Sequence, residues 1–237
     1  MKRLGKNEFE NFRLDDDDDD DDDDNPKGSH RDHFLGRMLK TRKILLSGQI
    51  NKNLAEKIIN QLLLLDEMNH DPVQIFIDSP GGDADAGYAI FDMIRFIKSP
   101  VLTIGMGLVA SAAAIIQLAS PKERRMGLPN SHYLIHQPLS GIRGVATDIE
   151  IHARELDKLR LKINKLISEE TGHPFAQVEK DTDRDYWMNA AEALSYGLIS
   201  KVITNADELP QAKTAPSPKK TTAAKKVTDT KKKPRKK

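Results

Sequence analysis

Between residues 42 and 203, short apolar runs alternate with longer stretches of helical periodicity, and this alternation restricts the possible folds more than any other feature. "RKILLSGQI" (42–50) reads as a strand ending in a turn, and "NLAEKIINQLLLLDEMN" (53–69) carries Leu54, Ile58, Leu62 and Leu65 on one helical stripe. "PVQIFIDSPGG" (72–82) is a short buried strand stopped at Pro80-Gly81-Gly82, and "DAGYAIFDMIRFIKS" (85–99) is a helix closed by Ser99-Pro100. The strand "PVLTIGMG" (100–107) leads to a helix, "SAAAIIQLA", that opens at Ser111. "HYLIHQP" (132–138) is another strand, with His136 near its end. Residues 146–172 form one long helix with Gly172 as its C-cap and a narrow, heptad-like stripe of Ile149, Leu156, Leu159, Ile163 and Leu166. A final short helix, "NAAEALSYG", runs into the strand "LISKVI". This order predicts an α/β domain with a largely parallel sheet.

The flanks differ in kind. Asp15 to Asp24 is an unbroken acidic run, whereas the last 27 residues hold eleven Lys or Arg against the single acid Asp229. Such blocks repel themselves and bury nothing. A disordered acidic extension is therefore expected over 1–31 and a disordered Lys-rich tail over 210–237, around one folded domain at 32–209. The tail lacks the interleaved aromatics of nucleic-acid-binding segments, so it reads as a solvating extension and nucleic acid is not an expected partner. The absence of cysteine removes disulfide scaffolds and Cys-ligated metal centres. No apolar run reaches the ~20 residues of a membrane helix. The basic N-terminus leads into acid, unlike a signal peptide, and a cytoplasmic location is expected.

The groups able to do chemistry sit where predicted strands finish: Gly81-Gly82, Ser111 and His136. Ser111 as the first residue of a helix would feel a field that stabilises developing negative charge, and the alanines around it leave room for a substrate backbone. The N–H groups of Ala112 and Gly82 are natural oxyanion donors. Each feature also has a plainer reading. Serine is a common N-cap, a histidine ending a strand is more often structural, and Pro-Gly-Gly is usually a turn. His30, His33, His70, His132, His152 and His173 have equal claims by composition. His132 and His136 lie on a strand and share no helix face, so no metal site is expected. The serine is not set in G-x-S-x-G, so an α/β-hydrolase elbow is not predicted. The residues alone admit a serine hydrolase without selecting it.

From "LGRMLKTRKILLSG" to "GLISKVI" the chain resembles ClpP, the proteolytic subunit of the Clp protease. The matching stretches are "QLLLLD", "DSPGGDADAG", "GMGLVAS", "LPNSHYLIHQP", "ATDIEIHARE" and "DTDRDYWMNAAEALSYGLI". The resemblance implies a ClpP/crotonase-like ββα superhelix with a protruding handle helix at about 139–172, and a serine endopeptidase acting on unfolded polypeptides. It places the nucleophile at Ser111, the general base at His136 and the orienting acid at Asp185, the last chosen from Asp181, Asp183 and Asp185 by the resemblance alone. It implies an oxyanion hole at Gly82 and Ala112. Substrate would be held as an added strand by Gly82, Asp83 and Ala84 on one side and by Pro138, Leu139 and Ser140 on the other. Asp183 and Arg184 match a pair that senses ring-to-ring contact. Phe76, Phe96, Ile104 and Met126 match an apolar pocket for the loop of an AAA+ unfoldase. Two stacked heptameric rings, or a mixed ring with a paralogous subunit, are implied. ATP would be used by the unfoldase, with no cofactor in this chain.

Three features depart from the family pattern. The acidic run stands where axial pore loops are usual, so it would attract basic substrates or be removed as a propeptide. Ala112 replaces a common Met after the nucleophile. Asp83 and Asp85 replace apolar or hydroxyl residues, which suggests a preference for basic residues near the cut. The rival readings are a catalytically silent scaffold subunit, a crotonase-type acyl-CoA enzyme and a tail-mediated nucleic-acid binder.

Overall fold

The computed structural model describes residues 36–209; the tails expected at 1–31 and 210–237 lie outside the described residues. After a helical turn at 36–40, the chain alternates as predicted. The elements are β1 (Lys43–Ser47), α1 (Lys52–Met68), β2 (Val73–Ser79), α2 (Ala84–Phe96), β3 (Val101–Ala110), α3 (Ala112–Gln117), β4 (Arg125–Gly127) and β5 (His132–Ile135). They continue with α4 (Ala146–Thr171), α5 (Phe175–Asp181), β6 (Tyr186–Asn189), α6 (Ala190–Tyr196) and β7 (Lys201–Val202). The strands form one sheet in the order β1-β2-β3-β4-β7, and β5 pairs with both β3 and β6. Every pairing is parallel except β5 with β6.

Burial explains the elements. Strand β2 turns Val73, Ile75, Ile77 and Ser79 inward at every second residue, and the first five residues of β3 are buried continuously, as suits a central strand covered on both faces. Asn51 caps α1 by accepting from the Leu54 N–H at 2.9 Å. The α1 face that meets the sheet contains Ile58, Leu62 and Leu65, while Leu54 is only partly buried. Helix α3 is buried on every side from Ala112 to Gln117, which explains its alanines.

Among the strands and α-helices, three were not anticipated: β4, α5 and β6. The two strands span three and four residues, too short for periodicity to register, and three of the four β6 residues are exposed. Strand β3 also runs on past the expected end at 107 to Ala110, which shortens the helix that follows to six residues.

Helix α4 begins and ends as predicted, with Gly172 left-handed at φ 85°. Its apolar stripe divides, however. Ile163 is buried and Leu159 and Leu166 pack against the core, whereas Ile149 is 43% exposed. Residues 139–151 are exposed throughout. The far end of α4 is anchored by charge: buried Arg125 pairs with the Glu170 carboxylate and donates to the carbonyls of Ser120 and Glu170, and Arg95 also meets Glu170 at 2.5 Å.

Candidate active site

Two strand registers assemble the site. Strand β5 lies parallel to β3 with Ala110 beside Leu134, and the Ser111 N–H donates to the Leu134 carbonyl at 2.9 Å. Ser111 therefore leaves the sheet next to Ile135, one residue from His136. On the other edge of β5, antiparallel β6 sets Ile135 opposite Tyr186. One further step in that register places Asp185 opposite His136, and His136 Nδ1 lies 2.9 Å from Asp185 Oδ1. A carboxylate only accepts, so Nδ1 carries the proton and Nε2 is left as the acceptor.

Of the neighbouring aspartates, Asp181 has its carboxylate engaged by the Tyr196 hydroxyl and by Gln177. Asp183 is exposed, and its backbone carbonyl accepts from Gln137 Nε2 at 2.6 Å. Gln137 also donates its backbone N–H to Thr182, so the turn through exposed Asp183 and Arg184 is tied to the segment after His136. Sequence reasoning lacked β6 and so had no geometric means of choosing among the three acids. The aromatic, β-favouring pair Tyr186-Trp187 was the available signal.

Ser111 differs from the expectation in one respect. It precedes α3 instead of opening it, at φ 56° and ψ −120°, and its side chain makes no capping hydrogen bond. This is a sparsely populated conformation for a residue with a Cβ, costing on the order of 1–3 kcal/mol. The result is a sharp strand-to-helix elbow without the G-x-S-x-G pattern. The six-residue α3 is too short to supply much of a dipole field, so display of the hydroxyl rests on the turn.

The Pro-Gly-Gly segment is shaped by the same turn. Gly81 has φ 86°, and a Cβ there would lie 2.5 Å from the Ala110 carbonyl oxygen and 2.7 Å from the Ser111 Cβ. Gly82, at φ 149°, bridges to Ile50 through its neighbours: the Gly81 carbonyl accepts from Ile50 N–H, and Asp83 N–H donates to the Ile50 carbonyl. The Gly82 N–H stands outside that ladder. The Ala112 N–H, at the first helical position, has no intrahelical acceptor.

Gly82, Asp83, Ala84, Ser111, Ala112, His136, Pro138, Leu139 and Ser140 all line one cleft of about 870 Å³, whose opposite wall is α4 through Leu156, Leu159 and Ile163. Ser140 meets His152 Nε2 of α4 at 2.8 Å. Asp83 is the N-cap of α2, accepting from the Ala86 N–H at 2.8 Å, so its carboxylate has a local structural use. Among the described residues, the Ser111 hydroxyl has no hydrogen-bond partner. No cluster of three His, Asp or Glu among the described residues is arranged for a metal ion. No described helix is long and apolar enough to cross a membrane.

The residues expected to build an unfoldase pocket do not come together as an open surface. Phe76, Ile104 and Met126 are adjacent in register and share a small second core with Leu102 and Ile203. Ile104 and Met126 are buried there, and Phe96 stands apart, 78% exposed at the end of α2.

Comparison with known proteins agrees with this arrangement. The family model described as Clp protease matches residues 26–206. The chain belongs to the Clp protease family. It is 64% identical over 186 residues to ATP-dependent Clp protease proteolytic subunit 2 of Treponema denticola, covering 78% of this chain and 93% of the relative. Proteolytic subunit 2 of Borreliella burgdorferi is 50% identical over 173 residues, covering 73% and 87%. Among solved structures, an asparagine-to-aspartate mutant of ClpP1 from Listeria monocytogenes superposes with a TM-score of 0.69 at 46% identity, covering 73% of this chain and 98% of that one. Membership in this family of proteolytic subunits makes the chain a peptidase by descent and its fold the α/β fold of ClpP.

Proposed function

We propose that the chain is a serine endopeptidase, the proteolytic subunit of an ATP-dependent Clp machine, cleaving unfolded polypeptides to short peptides. The observation that supports this reading is the register of β5 against β6, which pairs Asp185 with His136 Nδ1, so that Nε2 is the ring nitrogen Ser111 would use. His136 takes the Ser111 proton as the oxygen attacks a peptide carbonyl, while Asp185 holds the imidazole in the required tautomer and stabilises its charged form. The N–H groups of Gly82 and Ala112 receive the tetrahedral oxyanion. The imidazolium then protonates the leaving amine, and water, deprotonated by His136, hydrolyses the acyl-enzyme.

Substrate lies as an extended strand between residues 82–84 and 138–140, so backbone pairing supplies much of the affinity and tolerates many sequences. The exposed apolar face of Leu139, Ile142, Val145, Ile149 and Ile151 fits a handle that packs on a second ring. Asp183 and Arg184, immediately before Asp185 in the chain, would couple that contact to the site. An AAA+ unfoldase supplies substrate and uses the ATP. The subunit numbering of the relatives favours a mixed ring with a paralogue over a homomeric one.

The test is degradation of an unfolded protein by the purified assembly. Wild type is expected to yield short peptides, and His136→Ala none. Equal degradation by both would overturn the reading.

A further inference from the structure

The acidic run Asp15–Asp24 has no part in the peptidase chemistry, and it lies outside the described residues. The folded domain carries a surface of the opposite charge. A groove of about 640 Å³ lies between the end of α2, the start of β3 and the segment after α3. Its charged lining is Arg95, Lys98 and Arg124 against the single acid Glu170. Glu170 is already shared between Arg95 and buried Arg125. No carboxylate among the described residues pairs with the side chain of Lys98 or Arg124. The other acids nearby do not fill the gap: Asp66 accepts from the Ser99 N–H and hydroxyl, each at 2.8 Å, and Glu123 is exposed. Arg95 is held by the carbonyls of Leu118 and Ala119, at 3.2 and 3.1 Å, with its guanidinium 4.3 Å from the Phe91 ring centroid. A cation fixed in this way loses little freedom when an anion arrives.

The chain also enters the fold beside this groove. Arg42, just before β1, donates to the hydroxyl of Ser99, a groove residue, at 3.0 Å. The Val73 N–H donates to the carbonyl of Pro100, another groove residue, at 2.8 Å. One helical turn, at 36–40, separates Arg42 from Gly36. Residues 25–35 then connect Gly36 to Asp24 and span up to ~40 Å when extended. The aspartates therefore reach the groove with length to spare. A single exposed ion pair is weak, but a connection this short raises the local concentration to the order of millimolar, enough to fill a contact that would not hold a free peptide.

We propose that Asp15–Asp24 docks in the groove lined by Arg95, Lys98 and Arg124. The Lys-rich segment 210–237 is the competing cation, and the groove is favoured because its cations stand on a folded surface. The proposal does not depend on the peptidase reading.

The test is carbodiimide cross-linking of the full-length assembly, which joins carboxylates to amines in direct contact, read by peptide mass spectrometry. At low salt the acidic run is expected to cross-link to Lys98. Most of that product should disappear in about 1 M NaCl, where the screening length is about 3 Å. Arg124→Glu keeps the reporting lysine and should lower the Lys98 product about fivefold, the size of one strong exposed ion pair, with an unchanged thermal transition showing that the variant is folded. Cross-links confined to the lysines of 210–237, no product at Lys98, or a Lys98 product indifferent to salt and to Arg124→Glu would each overturn the proposal. So would an intact mass showing that the purified chain has lost the acidic run.

Discussion

Ser111 and Asp185 flank His136 on neighbouring strands but are held by opposite means, and of the two only Asp185 bonds the imidazole. The serine sits in a strained turn between a ten-residue central strand and a fully buried helix, with Gly81 pressed against it from the next loop. The aspartate follows an exposed turn at the start of a four-residue edge strand, and its side chain is 61% exposed. The core thus surrounds the Ser111 end of the site, while the Asp185 end rests on the short β5–β6 pairing, two hydrogen bonds from Gln137 and one from the imidazole. Helix α4 repeats the pattern, with a buried, ion-paired C-terminal half and an exposed N-terminal half. The comparison teaches that the candidate nucleophile is fixed by the folded core, while its candidate orienting acid and the outer wall of the cleft stand on exposed segments.

Substitutions can break or sharpen this contrast. The largest effect is expected from Ser111→Ala, which should lower peptide cleavage by about 10⁴-fold or more while leaving the melting temperature nearly unchanged, since the backbone strain stays and the hydroxyl removed has no partner. Asp185→Asn should reduce kcat by about 10²–10³-fold, less than the ~10⁴ typical of a buried orienting acid, because this carboxylate is largely exposed. A loss equal to that of Ser111→Ala would show that the Asp185 end is held as firmly as the Ser111 end. Gly81→Ala should destabilise by about 3 kcal/mol in denaturant unfolding, combining a left-handed φ with a clash against the Ala110 carbonyl and Ser111. Glu170→Gln, which leaves Arg125 buried without a counter-charge, should cost about as much. The smallest effect on stability, within about 0.5 kcal/mol, is expected from Ile149→Asp combined with Ile151→Asp; these sit on the exposed half of α4, and their consequence should appear in the native mass of the assembly.

Much of this was legible in the chain. Runs of four or more inward-facing residues, as in β2 and β3, and amphipathic helices with clear caps carry enough periodicity to be read directly, and Gly172 ended α4 as its position requires. Ser111, His136 and Gly82 were visible because each falls where a strand stops. Asp185 was not selectable from the residues themselves, since the strand that places it has four residues and one buried side chain. The strain at Ser111 was hidden for a different reason. It arises from β3 continuing three residues further than its apolar pattern suggested and from the approach of Gly81, a contact 30 residues away in sequence. Phe96 was grouped with Phe76, Ile104 and Met126 by resemblance, and within the protomer it lies outside their core.

The central claim is that the fold itself activates Ser111. Intact-mass spectrometry of purified protein treated with a fluorophosphonate, beside Ser111→Ala, tests it most directly. The account predicts one adduct per wild-type chain, none on Ser111→Ala, and slow labelling of Asp185→Asn. Absence of an adduct on wild type, or an adduct that survives in Ser111→Ala, would contradict it.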